Sequence, residues 1–281
     1  MKRFMTGFSE FFGLHFKPKL VWAILLGAIP IVLLCWSYAS ESAARKAHNK
    51  DDRVFPTVSE MYEQTRIYVS EPDIRTDTPL FWHDLKYSMK LLVMGLSISA
   101  ITAFIFGILM GVFPWFRALN MPIVTVFSII PALTILAILF CVFGIGDTAK
   151  VALIVIGTSF LMMRDTVAYI RGLPEEQMVK TLTLGRGSFA FVARVVMPQV
   201  APRFLEMLRL NYSPAWLFLI ASEGLAADSG LAHRMYLAQR TNHMALVIPI
   251  VFAITMIAVA MNYGTLFLNK KCFKYFWLGG K

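Results

Sequence analysis

The strongest constraint on this chain is a series of long apolar runs separated by short polar segments. A bilayer core of about 30 Å is spanned by roughly 20 apolar residues in a helix. With 57% hydrophobic and 16% charged residues, a soluble domain of this size could not bury its apolar surface. We therefore predict an all-α membrane protein of about six transmembrane helices, near residues 20–38, 87–112, 121–143, 151–169, 204–221 and 245–268.

The distribution of basic residues predicts the orientation of the chain. An even number of spans places both termini on one side, and Lys and Arg accumulate in cytoplasmic segments. On the predicted inner side, basic residues greatly outnumber the three acids Glu10, Glu175 and Glu176. Both termini are expected to be cytoplasmic, with an inner N-terminal segment at 1–19, a first helix and external segment at 20–84, a core of five helices at 85–268 and an inner tail at 269–281.

The external segment contains most of the acidic residues of the chain. Within it, FPTVSEMYEQTRIYV carries Thr57 or Ser59 as a possible helix cap, followed by apolar residues at helical spacing. The pattern predicts a short amphipathic helix lying at the membrane surface.

The inner segment from Leu173 to Pro202, LPEEQMVKTLTLGRGSFAFVARVVMPQVAP, interrupts the apolar runs. Pro174 suits the first turn of a helix, and the acids Glu175 and Glu176 complement its positive end. Gly185 is a typical residue at the end of such a helix.

A second helix is predicted directly after this glycine. Ser188 can cap it, and Pro198 is expected to end it after Val196. The two helices form an elbow whose basic residues are available to a partner or to lipid headgroups, namely Lys180, Arg186 and Arg194. Periodicity alone leaves open an ordinary amphipathic interfacial loop.

The spacing of Gly185, Pro198 and Pro202 in LGRGSFAFVARVVMPQVAP resembles the cytoplasmic loop of permease subunits of binding-protein-dependent ABC importers. Three further stretches are similar to the family's core spans and outer loop: LKYSMKLLVMGLSISAITAFIFGILMG, SIIPALTILAILFCVFGIGDTAKVALIVIG and SEGLAADSGLA. The nitrate, sulfonate and taurine branch is the most similar. The resemblance implies a type I ABC importer permease-like fold.

The same resemblance implies the partners and the site. The elbow at 173–202 would be the coupling helix that docks on an ABC ATPase, which would bind ATP and Mg, so that this chain needs no cofactor. A periplasmic binding protein would deliver a small anion to a homodimer in the lipid of the bacterial inner membrane. The implied coupling residues are Pro174, Glu175, Glu176, Lys180, Leu184, Gly185, Arg186 and Pro198.

One departure concerns the Glu-Ala-Ala signature of that loop. This chain has Val179, Lys180 and Thr181 at the corresponding positions. The acid that helps to hold the ATPase in the family is absent there, so Glu175 or Glu176 would have to act from one turn earlier.

Charged residues inside the apolar runs are candidates for the solute pathway. Arg164 and Asp165 lie toward the inner end of the fourth run, where Arg164 could contribute to an anion-attracting wall or extend to the interface. Glu206 and Arg209 lie three residues apart on one helix face and could neutralise each other.

Four other residues, in two regions, complete the predicted pathway and gate. Glu223, Ser229 and Gly230 resemble the family's outer gate, with a solvated external turn as the alternative. Pro131 predicts a mobile, pore-lining segment in the third run.

Several classes of function are disfavoured by the sequence. It contains no phosphate-binding loop and no nucleophile or metalloprotease motif, so we expect a transporter subunit and no enzyme. Three cysteines without metal spacing predict no metal site, and scattered basic residues predict no nucleic-acid partner. The alternatives are a secondary transporter relaying ions through Arg164, Asp165 and Glu206, or a membrane anchor for a cytoplasmic partner.

Overall fold

The computed structural model describes residues 20–48, 55–72, 78–173, 176 and 188–278. Across these residues the fold is helical, without a β-strand, as the apolar runs predict. The helices are α1 (Leu20–His48), α2 (Val58–Ser70), α3 (Leu80–Val112), α4 (Pro114–Ile129), α5 (Ala132–Phe143), α6 (Asp147–Arg171), α7 (Ser188–Phe191), α8 (Met197–Leu210), α9 (Tyr212–Leu225), α10 (Leu231–Arg240), α11 (Met244–Cys272) and α12 (Lys274–Leu278).

The centre of the bundle is the seam between α3 and α6. Gly107 of α3 faces Thr166 of α6 at close range. A Cβ atom at residue 107 would lie only 2.8 Å from the threonine side chain, so the contact requires glycine. Nearer the outer end, Thr158 Oγ1 donates a hydrogen bond of 2.8 Å to Ser99 Oγ. Residue numbers increase in the same direction in both contacts, from Ser99 and Thr158 to Gly107 and Thr166, so α3 and α6 run parallel. Small residues allow this close approach in lipid.

Three helices in the described part of the chain, α3, α6 and α11, are each long and apolar enough to cross a membrane. The pair α4 and α5 meets the same test only as one unit, bent by 102°. The predicted third span is therefore a broken span. Pro131 explains the break, because it has no amide hydrogen and disfavours a helical conformation at Ile130 before it.

The predicted fifth span is also broken. Helices α8 and α9 have 14 residues each and meet at Asn211. The side-chain amide of Asn211 donates to the carbonyl of Met207 at 2.8 Å, in addition to the backbone bond of 3.1 Å from the Asn211 amide to the same carbonyl. A polar residue thus occupies the break in this segment.

The prediction that Pro198 ends the second helix of the elbow is wrong. A π-helical turn, Val192–Val196, follows α7 and leads directly into α8, with Pro198 in its first turn. The amide of Met197 bonds to the carbonyl of Val192, five residues back. The wider turn and the position of the proline at a helix start remove the usual clash with the preceding turn.

The external helix α2 forms as predicted, and Thr57 is its cap. Thr57 Oγ1 accepts from the amide of Glu60, whose carboxylate accepts from the amide of Thr57 at 3.1 Å. The ring of Tyr68 near the end of α2 packs edge-on against Phe81 of α3. The surface helix is thereby attached to the core.

Candidate functional site at the two ends of the bundle

The outer end is organised around the first turn of α10. Glu223 is 1% exposed, and its Oε2 accepts from the amide of Ala232 at 3.0 Å. Ser88 Oγ donates to Glu223 Oε1 at 2.7 Å and accepts from the amide of Leu231 at 2.9 Å. The first amides of a helix have no partner within the helix. In α10 these amides donate to side-chain oxygens of α9 and α3, so residues distant in sequence cap the helix.

Asp84 adds a second carboxylate to this network. Its Oδ1 accepts from the amide of Gly230 at 3.1 Å, and its Oδ2 accepts from Arg234 Nε at 3.1 Å and from the Tyr68 hydroxyl at 2.8 Å. Burial and the adjacent carboxylate raise the pKa of Tyr68, so the phenol stays protonated and donates. One buried side chain therefore joins α2, α3 and α10.

Gly230 closes the loop between α9 and α10 tightly. Its φ is +126°, and a Cβ placed on it would lie 2.6 Å from the carboxyl carbon of Glu223. Only glycine fits this backbone conformation and this contact. The alternative of a solvated external turn is therefore wrong for Glu223 and Gly230, which are buried, whereas Ser229 is half-buried beside them.

A polar cavity of about 350 Å³ lies next to this network. It is lined by Asp147, Asp228, His233 and Arg240, and by the buried Lys150. Lys150 Nζ donates to the Tyr87 hydroxyl at 2.8 Å and lies 3.3 Å from Asp147. Both charge signs line the cavity.

Sequence reasoning did not identify four of these outer residues, namely Asp84, Ser88, Lys150 and Arg234. Asp84 was assigned to the external polar segment, but α3 begins at Leu80 and includes it. Asp84 and Ser88 are four residues apart and lie on one helix face, a signal that could have indicated a shared polar contact.

Most of the predicted coupling residues at the inner end lie outside the described residues: Pro174, Glu175, Lys180, Leu184, Gly185 and Arg186. Glu176 is exposed. Pro198 is exposed in α8, and its carbonyl accepts a hydrogen bond from the Tyr275 hydroxyl.

A second bond attaches α8 to the last long helix. The side-chain amide of Asn269, which is 1% exposed, donates to the carbonyl of Pro202 at 3.0 Å. The hydroxyl of Tyr169 in α6 donates to the carbonyl of Gln199 at 3.4 Å. The helix that follows the elbow is thus attached to α6, α11 and α12.

The predicted intramembrane charges are separate from the outer network. Arg164 Nε lies 3.9 Å from Asp165 Oδ1, and both side chains are about half exposed, at 44% and 50%. Pro131 precedes α5 at the bend and is exposed.

The prediction that Glu206 and Arg209 neutralise each other is wrong. Glu206 pairs instead with Arg203, three residues before it; the Arg203 side chain is 49% exposed and the Glu206 side chain 15% exposed. The Nε atom of Arg209 is buried and has no hydrogen-bond partner among the residues that the structure describes.

The side chains of the described ranges form no group of three or more His, Cys, Asp or Glu that could hold a metal ion. The outer end instead carries hydrogen-bonded carboxylates, and the inner end carries backbone carbonyls that accept from Asn269 and Tyr275. Such groups bind and position, and none forms a nucleophile–base pair of the kind used in covalent catalysis.

The long apolar helices and the polar groups at their ends are those of an α-helical integral membrane protein. Residues 103–271 match the family described as binding-protein-dependent transport system inner membrane component, and the chain belongs to this family. The resemblance drawn from the elbow and outer loop is thereby confirmed at the level of the family.

Two relatives and one solved structure illustrate the similarity. The taurine transport system permease protein TauC of Escherichia coli is 25% identical over 190 residues, which are 68% of this chain and 69% of the relative. The nitrate import permease protein NrtB of Synechococcus elongatus is 22% identical over 219 residues, 77% of this chain and 75% of the relative. The inward-facing MetNI methionine ABC transporter has a similar fold, with a TM-score of 0.61 at 13% identity over 68% of this chain and 95% of the other.

Proposed function

We propose that this permease forms the translocation pathway for a small anion, in an importer driven by ATP. The observation that carries the proposal is the family match over 103–271, and relatives named for taurine and nitrate transport support an anionic solute. A separate ABC ATPase binds and hydrolyses ATP with Mg. A periplasmic binding protein delivers the solute.

The proposed assembly is a homodimer with both termini of each chain in the cytoplasm. The ATPase binds the elbow at 173–202, and α8 transmits its movement because Pro198 and Pro202 are bonded to Tyr275 and Asn269. The outer network around Glu223, Ser229 and Gly230 acts as the gate on the periplasmic side. The external segment between α1 and α3, which includes α2, docks the binding protein.

The proposal is tested by reconstitution with the ATPase and the binding protein encoded beside this chain. Wild-type protein is expected to retain the ATPase on purification and to support ATP-dependent uptake of the solute that the binding protein binds. Gly185→Leu places a bulky side chain in the elbow and is expected to lower coupled uptake at least tenfold, a loss of about 1.4 kcal/mol in coupling.

Gly264→Leu is the matched control, because a Cβ at Gly264 meets no atom within 4 Å. It is expected to leave uptake unchanged. Uptake that persists without the ATPase and follows an ion gradient would instead identify a secondary transporter. Full ATP-dependent uptake by Gly185→Leu would overturn the role of the elbow.

A further inference from the structure

A groove of about 480 Å³ lies at the inner end of the bundle between α4 and α6. Arg117 from the first turn of α4 and Arg171 from the last turn of α6 line it, together with Thr125 deeper in α4. Apolar side chains, including those of Met121 and Val167, complete its wall. We call this groove the arginine cleft.

The same two helices carry a third arginine deeper in the protein. Arg164 precedes Arg171 by seven residues, which places it on the same face of α6 and about 10 Å farther along the axis. Arg164 Nη1 lies 3.5 Å from Ser128 Oγ of α4. Hydroxyls and guanidinium groups therefore follow one another from the inner mouth of the arginine cleft toward the interior.

Among the residues that the structure describes, no acid balances the charge of the arginine cleft. No carboxylate lines it, and Arg117 and Arg171 form no salt bridge with any acid in the described ranges. Asp165 is close only to Arg164, at 3.9 Å. Guanidinium groups without an acidic partner are stabilised by contact with water or with an anion.

We propose that the arginine cleft is an oxyanion-binding site, through which the anionic group of the solute passes on its way to the cytoplasm. This inference rests on the proposed function and names the residues that select its substrate class. Guanidinium groups bind planar and tetrahedral oxyanions through paired N–H donors. The hydroxyls of Thr125 and Ser128 donate to backbone carbonyls of α4, so the arginines are the donors that the anion meets. A phospholipid phosphate has the same chemistry and is the other source of such an anion.

The test measures access of charged reagents to a cysteine placed inside the arginine cleft of the full chain in vesicles. Cys35, Cys141 and Cys272 are exposed and are first replaced by Ser. Thr125→Cys is then reacted with a methanethiosulfonate carrying a sulfonate and with its trimethylammonium analogue. The anionic reagent is expected to react faster, and Arg117→Gln or Arg171→Gln to lower the ratio of the two rates on the order of tenfold each.

Lys271→Gln removes the same charge from an exposed position at the inner end and is the matched control. It is expected to leave the ratio unchanged. Methanesulfonate that slows the anionic reagent in vesicles of phosphatidylcholine alone identifies a site for the solute. Slowing that appears only when phosphatidylglycerol is added identifies a lipid phosphate as the bound oxyanion.

A rate ratio that the two arginine variants leave unchanged would overturn the inference, as would an equal change in Lys271→Gln. Failure of either reagent to react would also overturn it, because an open cleft must admit a small sulfonate. Since no ATPase is present, these outcomes are independent of ATP-dependent uptake. Loss of coupling with an intact rate ratio would instead contradict the proposed function alone.

Discussion

The two ends of the bundle differ in how their polar groups are satisfied. At the outer end, Asp84 and Glu223 are each 1% exposed and accept hydrogen bonds from two or three partners. At the inner end, α8 is attached to the last helices by single bonds from Asn269 and Tyr275 to backbone carbonyls. Local opening of the outer end would therefore break more buried hydrogen bonds than detachment of α8 from the last helices.

This difference fits the direction of force in the proposed transporter. In that proposal, movement passes from the elbow through α8, which Asn269 and Tyr275 attach to the last helices, to an outer loop whose network holds α10, α3 and α9 together. A network with several mutual partners breaks as a unit, because each lost partner leaves others buried and unpaired. Mutations at the outer end should therefore have larger effects on stability than mutations at the inner end.

The largest effect is expected for Asp84→Ala. The change leaves Arg234, the Tyr68 hydroxyl and the Gly230 amide without their common acceptor, and removal of one partner from a buried ion pair costs about 3–5 kcal/mol. Thermal unfolding of purified protein in detergent should show a large decrease in the transition temperature. Glu63→Ala removes an exposed carboxylate from α2 and should have almost no effect. Equal transitions for the two variants would show that the outer network is not stabilising.

A smaller loss is expected for Gly230→Ala at the same end. The φ of +126° strains any side-chain-bearing residue, and the added Cβ would press against the Glu223 carboxyl group. Such strain costs about 1–3 kcal/mol. Gly264→Ala in α11 is the control, and it should be neutral or slightly stabilising because its Cβ meets open space and alanine favours helix. A neutral result for Gly230→Ala would contradict the tight outer loop.

The sequence predicted the helical fold well but predicted its contacts poorly, and the same two ends show why. Apolar runs and the Thr57 capping box depend on neighbouring residues, so the helices and the start of α2 could be found from spacing. The partnership of Asp84 with Arg234 joins residues 150 positions apart. Pro198 was expected to end a helix because a local rule applied, but the π-helical turn before it accommodates the ring. Contacts between distant segments and changes of helix type depend on tertiary packing, which a pattern of neighbouring residues does not predict.

At the inner end, Asn269→Ala tests the buried attachment of α8. The carbonyl of Pro202 loses a hydrogen bond of 3.0 Å, but the side-chain oxygen of Asn269 is itself buried without a partner among the described residues. Losing the bond costs about 1 kcal/mol, and removal of the unsatisfied oxygen offsets part of this. Thermal unfolding should show a decrease clearly smaller than that of Asp84→Ala. A decrease as large as that of Asp84→Ala would contradict the difference between the two ends.

The smallest effect on stability is expected for Tyr275→Phe. The side chain is 53% exposed, so water can replace the lost bond to the carbonyl of Pro198 and the free energy of unfolding should fall by at most about 0.5 kcal/mol. Amide hydrogen exchange reports local opening separately from global unfolding. The amides of residues 192–200 should exchange about twofold faster, because α8 loses one of its attachments.

Tyr263→Phe removes an exposed hydroxyl from α11 and is the control, with exchange at 192–200 unchanged. Faster exchange in both variants would show that loss of any tyrosine hydroxyl from α11 or α12 has this effect. An increase confined to Tyr275→Phe would identify the bond from Tyr275 to the carbonyl of Pro198 as an attachment that holds α8.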